Sequence, residues 1–329
     1  MTLLLNAAAV AEAIEIGSLI ESIERGLNEQ ARGLAVVPPR MNLPTRGGSF
    51  RVMPAALNES GLMGLKAFHG ALNVGARYFI ALLEQERGNL LAIMDANYLT
   101  AARTGAATAI ATRYASRADS TTVGVIGSGV EAWTNLEAVC TVRPIERATI
   151  FSPRSERRES FAARAEREFS ILAEPVATPN AAVDGVDIVI VATNTARAAD
   201  PIAYRGAWAQ PGTHINSIGS TLPNLREIDT ACFARSDTVI VDTKEQIVEE
   251  SGDVIAAIED GVFDVDVAME LHDVAAGLAI CRTDPSAVTL YKSVGTGLQD
   301  VMAAAAVYEA ALAKGIGLDI GELLEFKEL

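Results

Sequence analysis

The sequence predicts an α/β protein whose main part is a mostly parallel, doubly wound sheet. From residue 121 onward, short β-branched runs alternate with helical stretches; the runs are TTVGVIGSG, RATIFS, VDIVIVAT, HINSIGS and TVIVDT. This alternation is typical of parallel strands with helices on both faces. Two Ala-rich stretches that resemble each other, 98–116 and 295–314, flank this part. We therefore expect both chain ends to form one smaller α+β domain, into which the doubly wound part is inserted.

The first 40 residues are predicted to be helical and then extended. MTLLLNAAAVAEAIEIG has no basic residue before its apolar run, and Glu12 and Glu15 interrupt it early. We interpret it as the first helix of the mature chain and not as a signal peptide. Residues 18–33 place apolar side chains at helical spacing and end on a glycine, which predicts a second helix. Pro38 and Pro39 then favour extended chain.

A small sheet and a helix are predicted next. The runs FRVMPAAL, LMGLKAF, RYFIALL and LLAIM lie between Phe50 and Met94 and are separated by glycine, asparagine and charged residues. Small residues on several faces of 98–116 predict a closely packed helix. The expected domains are residues 1–118 together with 296–329, and residues 119–295.

Composition excludes several classes of partner. With 329 residues, half of them hydrophobic, the chain can bury a large core. A formal net charge of -15 and a pI near 4.7 argue against nucleic acid and against anionic membranes. No run reaches the roughly 18 apolar residues of a membrane-spanning helix. Cys140, Cys232 and Cys281 are widely spaced and odd in number, which favours reduced thiols and a cytoplasmic location.

A glycine turn between the strand TVGVI and a helical run predicts a dinucleotide site of the Rossmann type. The turn reads Gly127-Ser128-Gly129-Val130-Glu131-Ala132, a GxGxxA pattern. The first glycine allows the tight turn, the second lets the backbone approach a pyrophosphate, and the alanine permits close helix packing. Phosphates are then expected at the helix N-terminus.

The end of the second strand bears on the choice between NAD and NADP. Enzymes that use NAD commonly place an acidic residue there to hold the ribose 2′-hydroxyl. Here the stretch reads FSPRS, in which Ser152 and Arg154, with Arg158 further on, are suited to a 2′-phosphate. This favours NADP over NAD, while Glu156 and Glu159 keep NAD open.

Several stretches together resemble the ornithine cyclodeaminase/mu-crystallin family. They are Pro39-Arg40, FRVMPA, GLKAF, LTAARTGAATAIAT, GSGVEA, GTHINSIGS, ESGDV and SVGTGLQD, and they run over almost the whole chain. The family includes cyclodeaminases, alanine dehydrogenases and ketimine or imino-acid reductases. The resemblance implies a Rossmann domain inserted into a dimerisation and substrate domain, and a homodimer formed through the latter.

The resemblance also implies the site. Arg51 and Lys66 match the family's basic pair, which would hold a substrate carboxylate, and Arg40 is expected to assist. Arg103 could contact the pyrophosphate or pair with an acidic neighbour. The further residues expected at the cofactor are Thr104, Thr193, Asn194, Thr195, Ser217, Gly219 and Val294.

Two departures from the family pattern shape the expected chemistry. Cyclodeaminases carry an aspartate acid/base after the INxxG strand, where this sequence has Thr221. A threonine cannot cycle between acid and base near neutral pH, which disfavours ornithine cyclodeamination. His69, three residues past Lys66, is a candidate proton donor to the substrate nitrogen, or else an ordinary surface or core histidine. No paired ligand spacing for a metal is visible among the histidines and cysteines.

The sequence thus predicts NAD(P)H-dependent reduction of a small 2-imino acid or ketimine to the 2-amino acid, reversible as an amino-acid dehydrogenation. Two alternatives remain: a cyclodeaminase acting on ornithine or lysine, and a non-catalytic ligand-binding protein like mu-crystallin. The presence of both Arg51 and Lys66 argues against the second.

Overall fold

The chain divides into two compact units in a computed structural model that describes residues 1–71, 74–196, 198–325 and 327. Unit 1 consists of residues 1–106 and 295–329, and unit 2 of residues 107–294. The first boundary therefore lies 12 residues before the expected one at 118/119, within a long helix, and the second lies one residue before 295/296. Each unit has a sheet of its own.

The elements follow in chain order. The strands are β1 (Leu3–Leu5), β2 (Ala35–Val36), β3 (Met41–Thr45), β4 (Gly48–Leu57), β5 (Leu62–Ala71), β6 (Gly75–Glu84), β7 (Leu90–Asp95), β8 (Thr122–Ile126), β9 (Arg147–Phe151), β10 (Leu172–Pro175), β11 (Ile188–Val191), β12 (His214–Ser217), β13 (Thr238–Val241), β14 (Met269–Glu270), β15 (Thr289–Lys292) and β16 (Leu318–Asp319). The helices are α1 (Ala7–Ala13), α2 (Ile16–Ala31), α3 (Asn97–Ala115), α4 (Val130–Val142), α5 (Ser155–Phe169), α6 (Pro179–Val183), α7 (Ala231–Arg235), α8 (Lys244–Glu250), α9 (Gly252–Glu259), α10 (Leu271–Ala275) and α11 (Gly297–Lys314).

The sheet of unit 1 runs β16-β1-β7-β6-β5-β4, with β2 and β3 both paired to β4. The pairs are antiparallel except β1 with β7. The N-terminal prediction was wrong in part, because residues 3–5 form a strand and only residues 7–13 a helix. Leu3, Leu4 and Leu5 pair with partners near 93 and 318, which a local pattern cannot reveal.

The two faces of this sheet differ. Strand alternation and register place Arg51, Met53, Lys66 and Phe68 on one face, and the bond from Lys66 to Asp300 shows that α11 covers it. Side chains of the opposite, outer face include Met41, Leu43, Phe50, Val52, Ala67, His69, Arg77 and Phe79. Met41, Leu43 and Phe79 are 58%, 44% and 43% exposed, so this outer face carries exposed apolar side chains.

The sheet of unit 2 runs β10-β9-β8-β11-β12-β15-β13-β14, and its pairs are parallel throughout. This confirms the predicted doubly wound α/β architecture. Five of its strands match the β-branched runs; β10 and β14 were missed because they carry charged residues or proline and no β-branched residue, and β15 was also missed. Because β8 lies between β9 and β11, the strand order reverses at β8, where such sheets bind their ligands.

Among the residues that the structure describes, no helix combines the length and the apolar character that a bilayer crossing requires.

Candidate functional site

A cluster of buried charges lies between the sheet of unit 1 and α11. Lys66 of β5 donates from Nζ to Oδ1 of Asp300 at 2.8 Å, and Arg103 of α3 reaches the same oxygen with Nε at 2.9 Å. Arg103 also donates to the side-chain oxygen of Gln299 at 2.9 Å. Arg40 donates to the backbone oxygen of Gly295 at 3.1 Å. We call Arg40, Lys66, Arg103 and Asp300 the basic cluster.

Glycines allow the close packing of this cluster. Gly295 has φ +79°, and a Cβ there would collide with the guanidinium of Arg103. A Cβ at Gly297, the first residue of α11, would collide with the backbone oxygen of Pro54 on β4. The stretch SVGTGLQD therefore does two things: its glycines let α11 approach the sheet, and its last residue supplies the carboxylate.

The cations of the cluster are buried. Arg40, Lys66 and Arg103 are 9%, 1% and 5% exposed, and Lys66 and Arg103 share the fully buried carboxylate of Asp300. Burial lowers the pKa of Lys66 from its ordinary value of 10.5 to about 7; Asp300 opposes this shift, and the charges of Arg103 and Arg40 add to it. Buried cations gathered in this way are suited to binding an anion.

The structure separates the other two candidates of unit 1. Arg51 lies on the same face as Lys66, and both cations stand 5.7 Å from the centre of the Phe68 ring. His69 is exposed on the opposite face, where its Nε2 lies 3.1 Å from the hydroxyl of Thr45. The interpretation of His69 as a proton donor beside Lys66 is therefore corrected: side chains alternate along a strand, so residues three apart point to opposite faces.

The glycine turn of unit 2 has the shape that its sequence predicts. Gly127 has φ +133°, and a Cβ there would collide with the backbone oxygen of Ala192. Gly129 precedes α4 as its N-cap, and Ser128, Val130 and Glu131 complete the turn into this helix. In the described part of the chain, no side chain caps α4, and no atom beyond the chain neighbours lies within 4 Å of a Cβ placed at Gly129. The turn thus leaves room for a phosphate at the helix N-terminus.

The end of β9 brings the predicted serine and arginines together. The hydroxyl of Ser152 donates to the backbone oxygen of Arg154 at 3.3 Å, and Arg158 donates to that of Ser152 at 3.0 Å. Arg154 is exposed and is the N-cap of α5. This arrangement places positive charge and a helix N-terminus where a Rossmann sheet receives the 2′-substituent of the adenosine ribose.

The ends of β11 and β12 are tied together by a residue that the sequence analysis missed. Glu227 accepts hydrogen bonds from the backbone and hydroxyl of Thr193, from the hydroxyl of Ser217 and from the backbone of Gly219, at 2.7–3.2 Å. Asn194 is exposed, and the hydroxyl of Thr195 donates to the backbone of Arg226. Most of the predicted residues at these strand ends thus surround one buried carboxylate.

The remaining predicted residues occupy separate places. Thr221 is partly buried and follows Ser220 in unit 2. Val294 donates its N–H to Asp242 at 2.7 Å at the end of unit 2. Thr104 lies in α3, one residue past Arg103, and its hydroxyl donates to the backbone of Thr100.

One group of possible metal ligands occurs among residues 1–71, 74–196, 198–325 and 327, which the sequence analysis did not single out. The ligand atoms of Glu270, His272 and Asp273 lie within 4.8 Å of one another near the start of α10. All three side chains are partly exposed, and Glu270 already accepts the N–H of Lys244. This group shares no residue with the basic cluster or the glycine turn.

Two missed residues, Asp300 and Glu227, belong to or adjoin stretches that were examined. Asp300 closes SVGTGLQD and is an isolated acid on an otherwise apolar helix face, which is a signal for a buried ion pair. Glu227 lies in NLREID, which has no recognisable motif.

The chain is similar to known proteins over almost its whole length. A sequence model of the ornithine cyclodeaminase/mu-crystallin family matches residues 1–315. An alanine dehydrogenase of Archaeoglobus fulgidus is 32% identical over 325 residues, 97% of this chain and 98% of that protein. The structure of Thermococcus litoralis Δ1-pyrroline-2-carboxylate reductase in complex with NADH and L-proline is 34% identical, with a TM-score of 0.91, and the match covers 97% of this chain and all of that one. An archaeal alanine dehydrogenase dimer with bound NAD is 30% identical, with a TM-score of 0.89 over 97% of this chain and 99% of that one.

Proposed function

This chain belongs to the ornithine cyclodeaminase/mu-crystallin family, and from that premise we propose that it is a nicotinamide-dependent oxidoreductase that reduces a small 2-imino acid or ketimine to the 2-amino acid. The reverse reaction is an amino-acid dehydrogenation. The similar proteins named above include a pyrroline-2-carboxylate reductase and alanine dehydrogenases, which act on this kind of bond.

The single observation that carries the proposal is the gathering of three buried cations in the basic cluster. Lys66 and Arg103 share the carboxylate of Asp300, the charge of Arg40 acts on Lys66, and the α-carboxylate of an imino acid is an anion suited to such a group of cations. Arginine binds a carboxylate with two parallel hydrogen bonds, and Lys66 adds a point charge. Arg51, on the same face of the sheet, extends the positive field.

Within this proposal, Lys66 is also the candidate proton donor. Reduction of the C=N bond adds a hydride to carbon and a proton to nitrogen, so a group that can release a proton near neutral pH is needed. Lys66, with a pKa of about 7, meets this requirement, whereas the arginines stay protonated. A water molecule is the alternative donor.

The residues of unit 2 fit a dinucleotide. Gly127 and Gly129 allow the backbone to approach a pyrophosphate at the N-terminus of α4, and Ser152, Arg154 and Arg158 favour NADP over NAD. When bound, the nicotinamide supplies the hydride for reduction or accepts it in the reverse direction. The similar structures hold NADH or NAD, so the preference for NADP rests on these three residues.

The proposed partners are the small substrate and a second copy of the chain, because one similar structure is a dimer and the outer face of unit 1 is apolar. A strongly negative chain is not suited to nucleic acid. We propose a cytoplasmic location from the three dispersed cysteines.

The test is a spectrophotometric assay at 340 nm with NADH and NADPH separately. The substrates are pyruvate with ammonia, oxaloacetate with ammonia, and pyrroline and piperideine carboxylates. We expect at least one to oxidise the reduced cofactor, and Lys66→Ala or Arg51→Ala to lose most of the turnover while cofactor affinity stays within about twofold. Unchanged kcat/KM in both variants contradicts the proposed carboxylate site.

An ammonia assay and a cofactor-binding measurement, run in parallel, separate the alternatives. Release of ammonia from ornithine or lysine, without net consumption of cofactor, would identify a cyclodeaminase, which Thr221 disfavours. Tight cofactor binding with no turnover of any substrate would identify a binding protein.

A further inference from the structure

Three buried charged residues of unit 2 take no part in the function proposed above. Glu227, Asp253 and Lys292 have side chains with 0% exposure. Lys292 approaches Oδ2 of Asp253 at 3.2 Å and donates to the hydroxyl of Ser217 at 3.2 Å and to the backbone oxygen of Gly219. Asp253, from the stretch ESGDV, accepts the N–H groups of Glu227 and Ile228 at 2.9 and 3.2 Å. We call these three residues the buried triad.

The triad joins the carboxyl ends of three neighbouring strands. Glu227 binds Thr193 after β11 and both Ser217 and Gly219 at the end of β12, while Lys292 is the last residue of β15. In a doubly wound sheet, the strands on the far side of the first strand form the second mononucleotide-binding half; here the first strand is β8, and these strands begin with β11, β12 and β15. The first half, β8 to β10, carries the glycine turn and the Ser152 region and receives the adenosine. The second half receives the nicotinamide.

The backbone beside Glu227 is held in an unusual conformation. Ser220 has φ +61°, a left-handed value that is uncommon for a residue other than glycine. A Cβ at Gly219 would collide with the carboxylate of Glu227 and with the backbone oxygen of Thr193. Such strain persists only where the surroundings determine the local conformation, and it concentrates at binding sites. Here the four hydrogen bonds to Glu227 fix the local conformation.

From this arrangement we propose that Glu227, anchored by Asp253 and Lys292, is a positioning residue that fixes the ends of β11 and β12 in the conformation that binds the nicotinamide half of the cofactor. This inference rests on the proposed function, since it assumes a nicotinamide dinucleotide. Glu227 acts through Thr193, Ser217 and Gly219, which were expected from the sequence to lie at the cofactor.

The bonding pattern favours an ionised Glu227. Burial raises the pKa of Glu227, and the charge of Lys292 counteracts that rise. Each oxygen of the carboxylate accepts two hydrogen bonds, one from a hydroxyl and one from a backbone N–H group that can only donate. A neutral amide at this place would turn an NH2 group toward two of these donors. Glu227→Gln therefore keeps the size of the side chain and disturbs the positions of the two strand ends.

The experiment compares two ligands that differ in the nicotinamide alone. NADH carries both halves, whereas ADP-ribose lacks the nicotinamide; NADPH and 2′-phospho-ADP-ribose replace them if the protein prefers NADP. Dissociation constants are measured by calorimetry on the full-length chain. For Glu227→Gln we expect NADH to bind at least tenfold more weakly and ADP-ribose to bind within twofold of the wild type.

Asp187→Asn is the matched control. Asp187 is a carboxylate of the same unit that accepts the N–H groups of Thr121 and Thr122 and the hydroxyl of Thr122, and it pairs with Arg117. It lies at the amino end of β11, whereas the buried triad lies at the carboxyl ends of the strands. Its substitution is expected to lower stability and to leave both dissociation constants within twofold.

A milder variant covers the case in which Glu227→Gln does not fold. Ser217→Ala removes a hydroxyl that binds both Glu227 and Lys292, and we expect the same selective loss for NADH, of about threefold. Equal weakening of both ligands, or no weakening of either, overturns the inference. Failure of the wild-type protein to bind NADH and NADPH overturns instead the proposed function, so the two failures are distinguishable.

Discussion

Lys66 shows how one buried residue can couple binding to pH. Its ammonium faces Asp300 on α11, Arg103 on α3, Arg40 and the Phe68 ring. With a pKa of about 7, the lysine of the unbound protein loses its charge as the pH rises above neutrality. An anionic ligand stabilises the charged form, so binding above pH 7 requires uptake of a proton.

We therefore expect the dissociation constant of pyrrole-2-carboxylate, an unreactive carboxylate, to be constant below pH 7 and to increase about tenfold per pH unit above it. Calorimetry between pH 5.5 and 9, in buffers of different ionisation enthalpy, measures both the affinity and the proton uptake. In Lys66→Met this pH dependence should disappear. In Asp300→Asn the increase should begin at lower pH, because the carboxylate raises the pKa of Lys66. A flat profile in the wild type contradicts the assignment.

The same lysine contributes to stability with a definite sign. Its pKa in the folded protein lies below the ordinary value of 10.5, so the unfolded chain binds more protons between pH 7 and 10.5. The cost of burying the ammonium is present in full below pH 7 and is relieved as the pH rises through this window.

At the scale of elements, the position of α11 decides whether Asp300 reaches the basic cluster. The helix begins at Gly297, packed on the backbone of Pro54, and it also approaches α2, where a Cβ at Gly26 would lie 2.6 Å from Cγ of Met302. Glycine is needed at both contacts because backbone or side chain occupies the space. Displacement of this helix would move Asp300 and Gln299 together.

Gly297→Ala is accordingly expected to lower the free energy of unfolding by about 1–3 kcal/mol and to weaken carboxylate binding. Gly70→Ala on β5 is the control, because its Cβ would meet only the Cβ of Ala76 at 3.7 Å. It should change stability by no more than about 0.5 kcal/mol. Urea denaturation measures the first effect and calorimetry the second. If both variants are equally stable, the close contact at Pro54 does not control the helix position.

Local sequence patterns predicted the helices and strands that have a hydrophobic periodicity of their own. They did not predict strands that depend on pairing with residues far along the chain. Residues 18–33 and 98–116 were predicted as helices and are α2 and α3 to within two residues. β1 and β15 were missed, because Leu3–Leu5 and Thr289–Lys292 become strands only through neighbours far along the chain. Asp300 and Glu227 were missed because a buried carboxylate is recognised by the residues that contact it. Lys66 is 234 residues from Asp300 in the sequence, and Ser217 is 10 residues from Glu227.

At the scale of the whole molecule, the outer face of the unit 1 sheet is suited to binding a partner. α11 packs on its inner face, whereas Met41, Leu43 and Phe79 of the outer face are about half exposed. Half-buried apolar residues, Met63, Leu65 and Leu83, continue this surface along β5 and β6. Exposed apolar surface of this kind marks an association site in a protein that is otherwise strongly charged.

A second copy of the chain is the occupant we expect, since a self-complementary face closes a twofold dimer and one similar structure is a dimer. Sedimentation should give twice the 34.6 kDa of one chain. Phe79→Glu places a charge on the outer face and should shift the equilibrium to monomers at micromolar concentration, because burying an unpaired carboxylate costs several kcal/mol. Leu172→Glu is the control: Leu172 is 71% exposed on a strand of unit 2, and its substitution should leave the dimer intact. A wild-type monomer, or a Phe79→Glu dimer as tight as the wild type, would show that the outer face is not the interface.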